Sequence, residues 1–405
     1  MLELYDFEEA YDKVQEVVLP TKLIKSDYFS EQTGNQVYLK PENMQLTGAY
    51  KIRGAYYKIS KLSEDEKKKG LITASAGNHA QGVALAAAKQ GVKATIVMPT
   101  TTPLLKVNRT KDLGAEVVLH GDVYDQACEH ALALAAEKGY TFVHPFDDLT
   151  VATGQGTIAM DIFKELPTVD YILVPIGGGG LATGVSTLAK LLNPKIKVIG
   201  VEPEGAACMK ASLKAGKVVS CDRVNTIADG TAVQTPGKLI FPFIQENLDR
   251  VITIKDEELI PCFLDLLENH KMLAENSGLL TIAALKHLNV KNKKVVSIIS
   301  GGNMDVITIA SLVQHGLIMR NRIFTVSVFL PDKPGELTRV SQVIANAQGN
   351  IIKLEHNQFV SINRNSAVEL TITMEAFGTD HKEKIIESLK EKGYEPKIRD
   401  SKSVF

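Results

Sequence analysis

Residues 171–192 read YILVPIGGGGLATGVSTLAKLL. The opening YILVPI is a short apolar run bounded by glycine, the pattern of a strand covered on both faces. Gly177, Gly178, Gly179 and Gly180 follow, and then a segment of helical period. Strand, glycine turn and helix together form the repeating unit of an α/β protein. Outward from this unit, the same kind of apolar run recurs as VYLKPE from Val37, LITAS from Leu71, ATIVMP from Ala94, AEVVLH from Ala115, TFVHPF from Thr141, IKVIGVEP from Ile196 and KVVSIIS from Lys294. Helical stretches such as AQGVALAAAKQG and VYDQACEHALALAAEKG lie between the runs, each ending at a glycine that suits a helix C-cap. The expectation is an α/β fold with mostly parallel strands and helices on both faces.

The pattern changes after about Gly316. IFTVSVFLP, PGELTRVSQVIANAQG, NIIKLEHNQFV, NSAVELTITMEA, DHKEKIIESLKEKG and YEPKIR read in order as β-α-β-β-α-β, a ferredoxin-like unit. The boundary is placed near residues 317 to 322, giving domains over 1–320, with a smaller subdomain at about 45–150, and over 323–402.

The 405 residues carry 46 basic and 47 acidic side chains, a formal charge of −1. That balance gives no field to attract a phosphate backbone or anionic lipid, so neither nucleic acid nor a membrane is an expected partner. MLELYDFEEAYDKVQEVV at the start is acidic and amphipathic, unlike a secretory leader, and no apolar run approaches bilayer length. A cytoplasmic protein is expected. Cys128, Cys208, Cys221 and Cys262 form no metal-ligand spacing and are read as reduced thiols.

Four clusters carry chemistry. In PENMQLTGAYKIRGAYYKI, Tyr50 and Lys51 open a helix whose apolar face takes Ile52, Ala55, Tyr56 and Ile59. A lysine in a partly apolar pocket loses part of its preference for charge and becomes able to condense with a carbonyl; the bland alternative is an exposed cation. In IGGGGLATG the N–H groups of four glycines at a helix start converge on an anion. A monophosphate ranks first there, with a dinucleotide left open because Glu202 follows some twenty residues on. TASAGNHAQG places Ser75, Ala76, Gly77, Asn78 and His79 at another strand-to-helix junction suited to a carboxylate, although His79 alone reads better as a buried, satisfied histidine. IISGGN puts Ser300 beside Gly301 and Gly302 at the end of the last apolar run.

Together these clusters resemble the tryptophan-synthase-like, fold type II pyridoxal-phosphate enzymes, and more closely the threonine ammonia-lyases, over nearly the whole chain. The resemblance implies two open twisted sheets with helices on both faces and pyridoxal 5'-phosphate as cofactor. TGAYKIRGA matches the stretch that carries the Schiff-base lysine, which implies Lys51 in that role with Tyr50 beside the ring. SAGNHAQG implies substrate-carboxylate binding by Ser75, Ala76, Gly77, Asn78 and His79, with Asn78 also on the ring hydroxyl. GGGGL implies phosphate binding by Gly177, Gly178, Gly179, Gly180 and Leu181, and SGGN makes Ser300 the partner of the pyridine nitrogen.

A hydroxyl there, in place of a carboxylate, makes the ring a weaker electron sink and favours elimination closely coupled to loss of the Cα proton. The implied reaction is conversion of L-threonine, and of L-serine, to 2-oxobutanoate or pyruvate and ammonia, as a first step of isoleucine synthesis. A serine racemase or a catabolic serine/threonine dehydratase is the alternative. Relatives that hold a divalent cation do so after the strand ending VEP, which points to Glu202 or Glu204, but Cys208 stands where a second acidic ligand belongs. The C-terminal unit resembles an ACT domain. Pro334 and Gly335 in DKPGEL and Asn350 in GNI then imply a regulatory site for a branched-chain amino acid, isoleucine or valine, in a homo-oligomer, dimer or tetramer.

Overall fold

The computed structural model describes residues 2–358 and 368–399. Contacts divide the chain into two units, Met1–Met304 and Asp305–Phe405. The division falls earlier than residues 317 to 322, because the helix Val306–Met319, which precedes the change of pattern, packs with the first strand of the second unit.

In the first unit, β1 (Ile24–Ser26) and β2 (Gln36–Pro41) begin one sheet. Then β3 (Leu71–Ala74), β4 (Ala94–Met98), β5 (Glu116–Leu119) and β6 (Thr141–Phe142) make a second. The strands β7 (Tyr171–Pro175), β8 (Lys197–Pro203), β9 (Arg250–Ile254) and β10 (Lys294–Ile299) complete the first. The larger sheet has the order β1-β2-β10-β7-β8-β9, parallel throughout except for β1, and the smaller has the order β5-β4-β3-β6, all parallel. All eight strands expected from the sequence are present. The two that were not anticipated are β1, only three residues long, and β9, an edge strand whose side chains are mostly half-exposed.

Chain order fixes where a crevice must open. In the smaller sheet the chain leaves β3 for β4 and β5 on one side and returns as β6 on the other. In the larger sheet β8 and β9 lie on one side of β7 while β10 and β2 lie on the other. Loops leaving the carboxyl ends of β3 and β7 therefore diverge and leave room for a ligand. Those loops are SAGNHAQG and IGGGG.

The second unit contains β11 (Ile323–Leu330), β12 (Asn350–Asn357), β13 (Val368–Glu375) and β14 (Lys397–Arg399), in the antiparallel order β12-β13-β11-β14. The helices Glu336–Asn346 and Thr379–Glu391 place Val340, Ile344, Ile385 and Leu389 against Val326, Val328, Leu370 and Ile372. This is the ferredoxin-like arrangement that the β-α-β-β-α-β pattern predicts. Residues 359–360, 365–367 and 400–402, which belong to the stretches read for it, lie outside the described residues.

The helix Lys51–Ser60 begins at the lysine singled out above, and Ile52, Ala55, Tyr56 and Ile59 are buried as its periodicity predicts. Its Arg53 is also fully buried, as are Lys40 and Glu42. Arg53 Nε and Nη2 donate to the two oxygens of Glu42, both at 2.8 Å, Nη2 also donates to Asp161 Oδ2 at 2.7 Å, and Nη1 reaches Thr157 Oγ1 at 3.2 Å. Lys40 Nζ donates to Asp161 Oδ2 at 2.9 Å and to Thr21 O at 2.6 Å. Two cations thus meet two carboxylates. Burial alone would raise the Asp161 carboxyl, but Arg53 and Lys40 outweigh it and hold the group below its ordinary range. Removing one member of such a cluster leaves a charge buried without compensation, typically at a cost of about 3–5 kcal/mol. Arg53→Met is therefore expected to lower unfolding free energy in urea by about that amount, and a loss under about 1 kcal/mol would show that the cluster does not hold this helix in place.

Candidate active site

A cavity of about 980 Å³ is lined by Lys51, Tyr50, Ser75, Gly177 to Leu181 and Ser300, among others. These residues come from four separate stretches of sequence, and the fold brings them to one place. Lys51 heads its helix, and its Nζ donates to the carbonyl oxygen of Pro145 at 2.7 Å and lies 5.3 Å from the centre of the Tyr50 ring. Burial pulls the Lys51 ammonium down to about 8, with the carboxylate of Glu275 opposing the shift. An amine with that pKa is substantially neutral near pH 8 and able to attack a carbonyl or take a proton.

Ser300, 3% exposed, directly follows β10. Its carbonyl accepts the N–H of Tyr50 at 3.1 Å, and Ala49 bridges Gly301 in antiparallel fashion. The segment that delivers Lys51 is therefore stitched to the segment that delivers Ser300. Between β7 and the helix Gly180–Leu192, Gly179 takes φ +108°, a conformation costly for any side chain. A Cβ on Gly178 would collide with the Phe146 ring. The N–H groups of this turn and of the first helical turn lack intrahelical acceptors and carry the positive end of the helix dipole.

From the carboxyl end of β3, Ser75, Gly77, Asn78 and His79 all line the cavity. Ala76 is half-buried and not part of that lining. His79 is 3% exposed, with Nε2 at 3.0 Å from the carbonyl of Val143. Burial lowers its pKa to about 3, so its ring stays neutral and acts as a wall. Asn78 Nδ2 donates to Glu275 Oε1 at 2.7 Å, and its Oδ1 accepts from Asn303 Nδ2 at 2.9 Å. Burial raises Glu275 to about 7, against the bond from Asn78.

Glu275, Asn303, Phe146 and the segment 229–235 that borders the cavity escaped the sequence reading. For Glu275 a faint signal existed: it occupies the position before the helix Asn276–Ala284, where Ser, Thr, Asp or Asn is the usual cap. Asn303 closes the SGGN stretch, whose reading stopped at Ser300 and the two glycines, while Phe146 and residues 229–235 lie in segments without a motif.

The other residues singled out in the sequence lie as follows. Glu202 accepts the N–H of Met209 at 2.8 Å and of Lys210 at 2.9 Å, so it closes the start of the helix Cys208–Ala215; burial lifts it to about 7. Among the described residues no group of three His, Cys, Asp or Glu side chains is placed to hold a metal. Cys208 and Cys221 are not free thiols but a disulfide, with Cα atoms 5.6 Å apart, while Cys128 and Cys262 are free. The 13-residue separation carried no signal because the chain turns back only after Gly216 closes the helix. In the second unit, Pro334 and Gly335 follow the end of β11 that pairs with Val368, whereas Asn350 opens β12 beside Glu375, to which its Nδ2 donates at 2.7 Å. These residues sit at opposite ends of an eight-residue strand, so one protomer does not gather all three into a single site.

The first-unit residues fit pyridoxal phosphate. An amine with lowered pKa stands on one wall and a buried hydroxyl on another, and a glycine turn at a helix N-terminus suits a phosphate. The volume also admits an amino acid beside the cofactor.

Residues 14–301 match the family described as pyridoxal-phosphate dependent enzymes. The chain is 43% identical over 399 residues to the L-threonine ammonia-lyase of Thermotoga maritima, covering 98% of this chain and all of the relative. It is also 43% identical to the L-threonine ammonia-lyase of Geobacter sulfurreducens, covering 96% of this chain and 97% of that one. Among solved structures, the processed form of threonine deaminase isoform 2 from Solanum lycopersicum superimposes with a TM-score of 0.74 at 39% identity, covering 76% of this chain and 92% of that one. Maize serine racemase gives 0.74 at 32% identity, covering 79% and 99%.

In protein stripped of any bound carbonyl compound, reductive methylation followed by peptide mapping should label Lys51 half-maximally near pH 8. Exposed lysines should follow at about 10.4. A Lys51 profile that tracks the exposed lysines would contradict the environment described for it.

Proposed function

The chain belongs to the pyridoxal-phosphate dependent enzymes, and on that premise we propose that it deaminates L-threonine, and L-serine more generally, to the 2-oxo acid and ammonia. The observation that carries this reading is the convergence of Lys51, Ser300 and Gly177 to Gly180 on one cavity. Its support is the pair of L-threonine ammonia-lyases that match the chain nearly end to end. The two sheets, parallel except for β1, agree with the fold type II architecture that the sequence resemblance implies.

Pyridoxal phosphate, when bound, supplies a carbonyl for the substrate amine and an electron sink that acidifies the Cα–H bond. The chain's own residues do the rest. The N–H groups of Gly177, Gly178, Gly179, Gly180 and Leu181 bind the phosphate, and the helix behind them stabilises its charge. Ser300, buried at the end of β10, offers its hydroxyl to the ring nitrogen; a hydroxyl does not hold a full proton there as a carboxylate would. Ser75, Gly77 and Asn78, at the head of the helix Asn78–Lys89, receive the substrate carboxylate. Lys51 would take the Cα proton of the substrate, a role that its lowered pKa suits near pH 8. The departing β-hydroxyl and the proton gained by Lys51 together make up one water, leaving an enamine whose hydrolysis gives 2-oxobutanoate and ammonia.

The wider reading is a cytoplasmic homo-oligomer at the first step of isoleucine synthesis, whose C-terminal ferredoxin-like unit acts as an ACT domain sensing isoleucine or valine. No helix among the described residues is long and apolar enough to cross a membrane.

With L-threonine the full chain should form 2-oxobutanoate and ammonia in equal amounts, and Lys51→Ala should lower kcat by about 10³-fold or more. An unchanged kcat in that variant would sink the assignment. Chiral analysis of L-serine reactions separates the racemase alternative, which would accumulate D-serine in place of pyruvate. L-isoleucine or L-valine should raise the melting temperature of the full chain or shift its rate; absence of both effects at saturating concentrations would remove the sensing role.

A further inference from the structure

The amide of Asn78 is held by a chain of hydrogen bonds that begins at a backbone carbonyl. We propose that Asn303 and Glu275 are positioning residues that fix this amide with one N–H left over for the hydroxyl on the cofactor ring. The inference deepens the pyridoxal-phosphate reading above and rests on it.

Each link forces the next. Asn303 Nδ2 donates to the carbonyl oxygen of Thr47 at 2.6 Å, and a carbonyl only accepts, so the nitrogen end of Asn303 must face it. The second hydrogen of the same nitrogen goes to Asn78 Oδ1 at 2.9 Å. Asn78 must therefore turn its oxygen toward Asn303 and its nitrogen toward Glu275 Oε1, 2.7 Å away. Reversing Asn78 would set nitrogen against nitrogen and carbonyl against carboxyl oxygen, two unfavourable contacts in exchange for two hydrogen bonds. Of the two hydrogens on Asn78 Nδ2, one is used by Glu275. The other belongs to a side chain that lines the cavity.

The Glu275 backbone is tied down, its N–H donating to the Gly301 carbonyl at 3.0 Å and its carbonyl accepting from Gly278 at 2.8 Å and Leu279 at 3.1 Å, which leaves the side chain to the cavity wall. Glu275 immediately precedes the helix Asn276–Ala284, yet its side chain caps nothing there. Its carboxyl group is drawn into the cavity wall despite burial that makes ionisation costly, raising the group to about 7. Space has been kept for it. A Cβ on Gly301 would collide with Glu275 Oε1 and would lie 3.1 Å from Asn78 Nδ2, so Gly301 admits the clamp by close approach. This assigns a role to a glycine of the SGGN stretch that phosphate binding and Ser300 leave unexplained.

The test uses the full chain freed of cofactor, titrated with pyridoxal 5'-phosphate and with its 3-deoxy analogue, which lacks the ring hydroxyl. The wild type should prefer pyridoxal phosphate by roughly tenfold in Kd, the worth of one good hydrogen bond. Asn303→Ala and Glu275→Ala should reduce the preference to about twofold or less, and Glu275→Gln, whose amide oxygen still accepts, should restore it. Competition by inorganic phosphate should be the same in all four proteins, since the glycine turn is untouched. A tenfold preference surviving in alanine variants of native melting temperature would overturn the proposal. So would equal binding of the two compounds by the wild type, or a Glu275→Gln variant as indiscriminate as Glu275→Ala. If Glu275→Ala does not fold, Asn303→Ala decides. Wild-type protein that binds neither compound would instead overturn the cofactor reading itself.

Discussion

A guanidinium removed from water must be matched by acceptors at every side, and Arg53 is matched by Glu42, Asp161 and Thr157. Those partners come from separate places in the chain: the turn after β2 and the helix Leu149–Glu165. Because Arg53 is two residues beyond Lys51, satisfying the one side chain fixes the start of the helix that presents the other. Buried ion clusters add little net stability compared with apolar packing, but they tolerate few alternative arrangements. Here that intolerance serves the Lys51 amine, whose lowered pKa depends on its staying buried.

The remaining parts of the site follow from the sheets. Parallel strands send all their carboxyl ends the same way, and chain order places a change of direction at β3 and at β7. Two of the ligand-holding loops leave from these points. The third element, at the end of β10, is tied to the Lys51 segment through the bond from Tyr50 N–H to the Ser300 carbonyl. Lys51, the glycine turn and Ser300 are thereby held largely by backbone geometry. Flexible positioning would lose the advantage of holding reacting groups in one geometry.

Much of this was legible in the sequence because the relevant signals are local. Strands β7 and β10 announce themselves as unbroken apolar runs since both faces are covered, and the glycines at 177–180 mark a turn that larger residues could not make beside Phe146. The β-α-β-β-α-β order of the second unit was likewise readable from its alternating periods. What was not legible is pairwise and distant. Glu275 lies 197 residues from the Asn78 amide it accepts. Glu42 and Asp161 look like ordinary charged residues until Arg53 is seen buried between them. Cys208 and Cys221 pair only because the intervening chain folds back.

The central claim is that these separately encoded loops form one cofactor site, and a crystal structure of the chain grown with pyridoxal 5'-phosphate tests it most directly. The account predicts continuous density from Lys51 Nζ to the cofactor, the phosphate within hydrogen-bond reach of the N–H groups of Gly177 to Leu181, and the ring nitrogen at the Ser300 hydroxyl. A cofactor bound through another lysine, or a phosphate seated away from that turn, would contradict it.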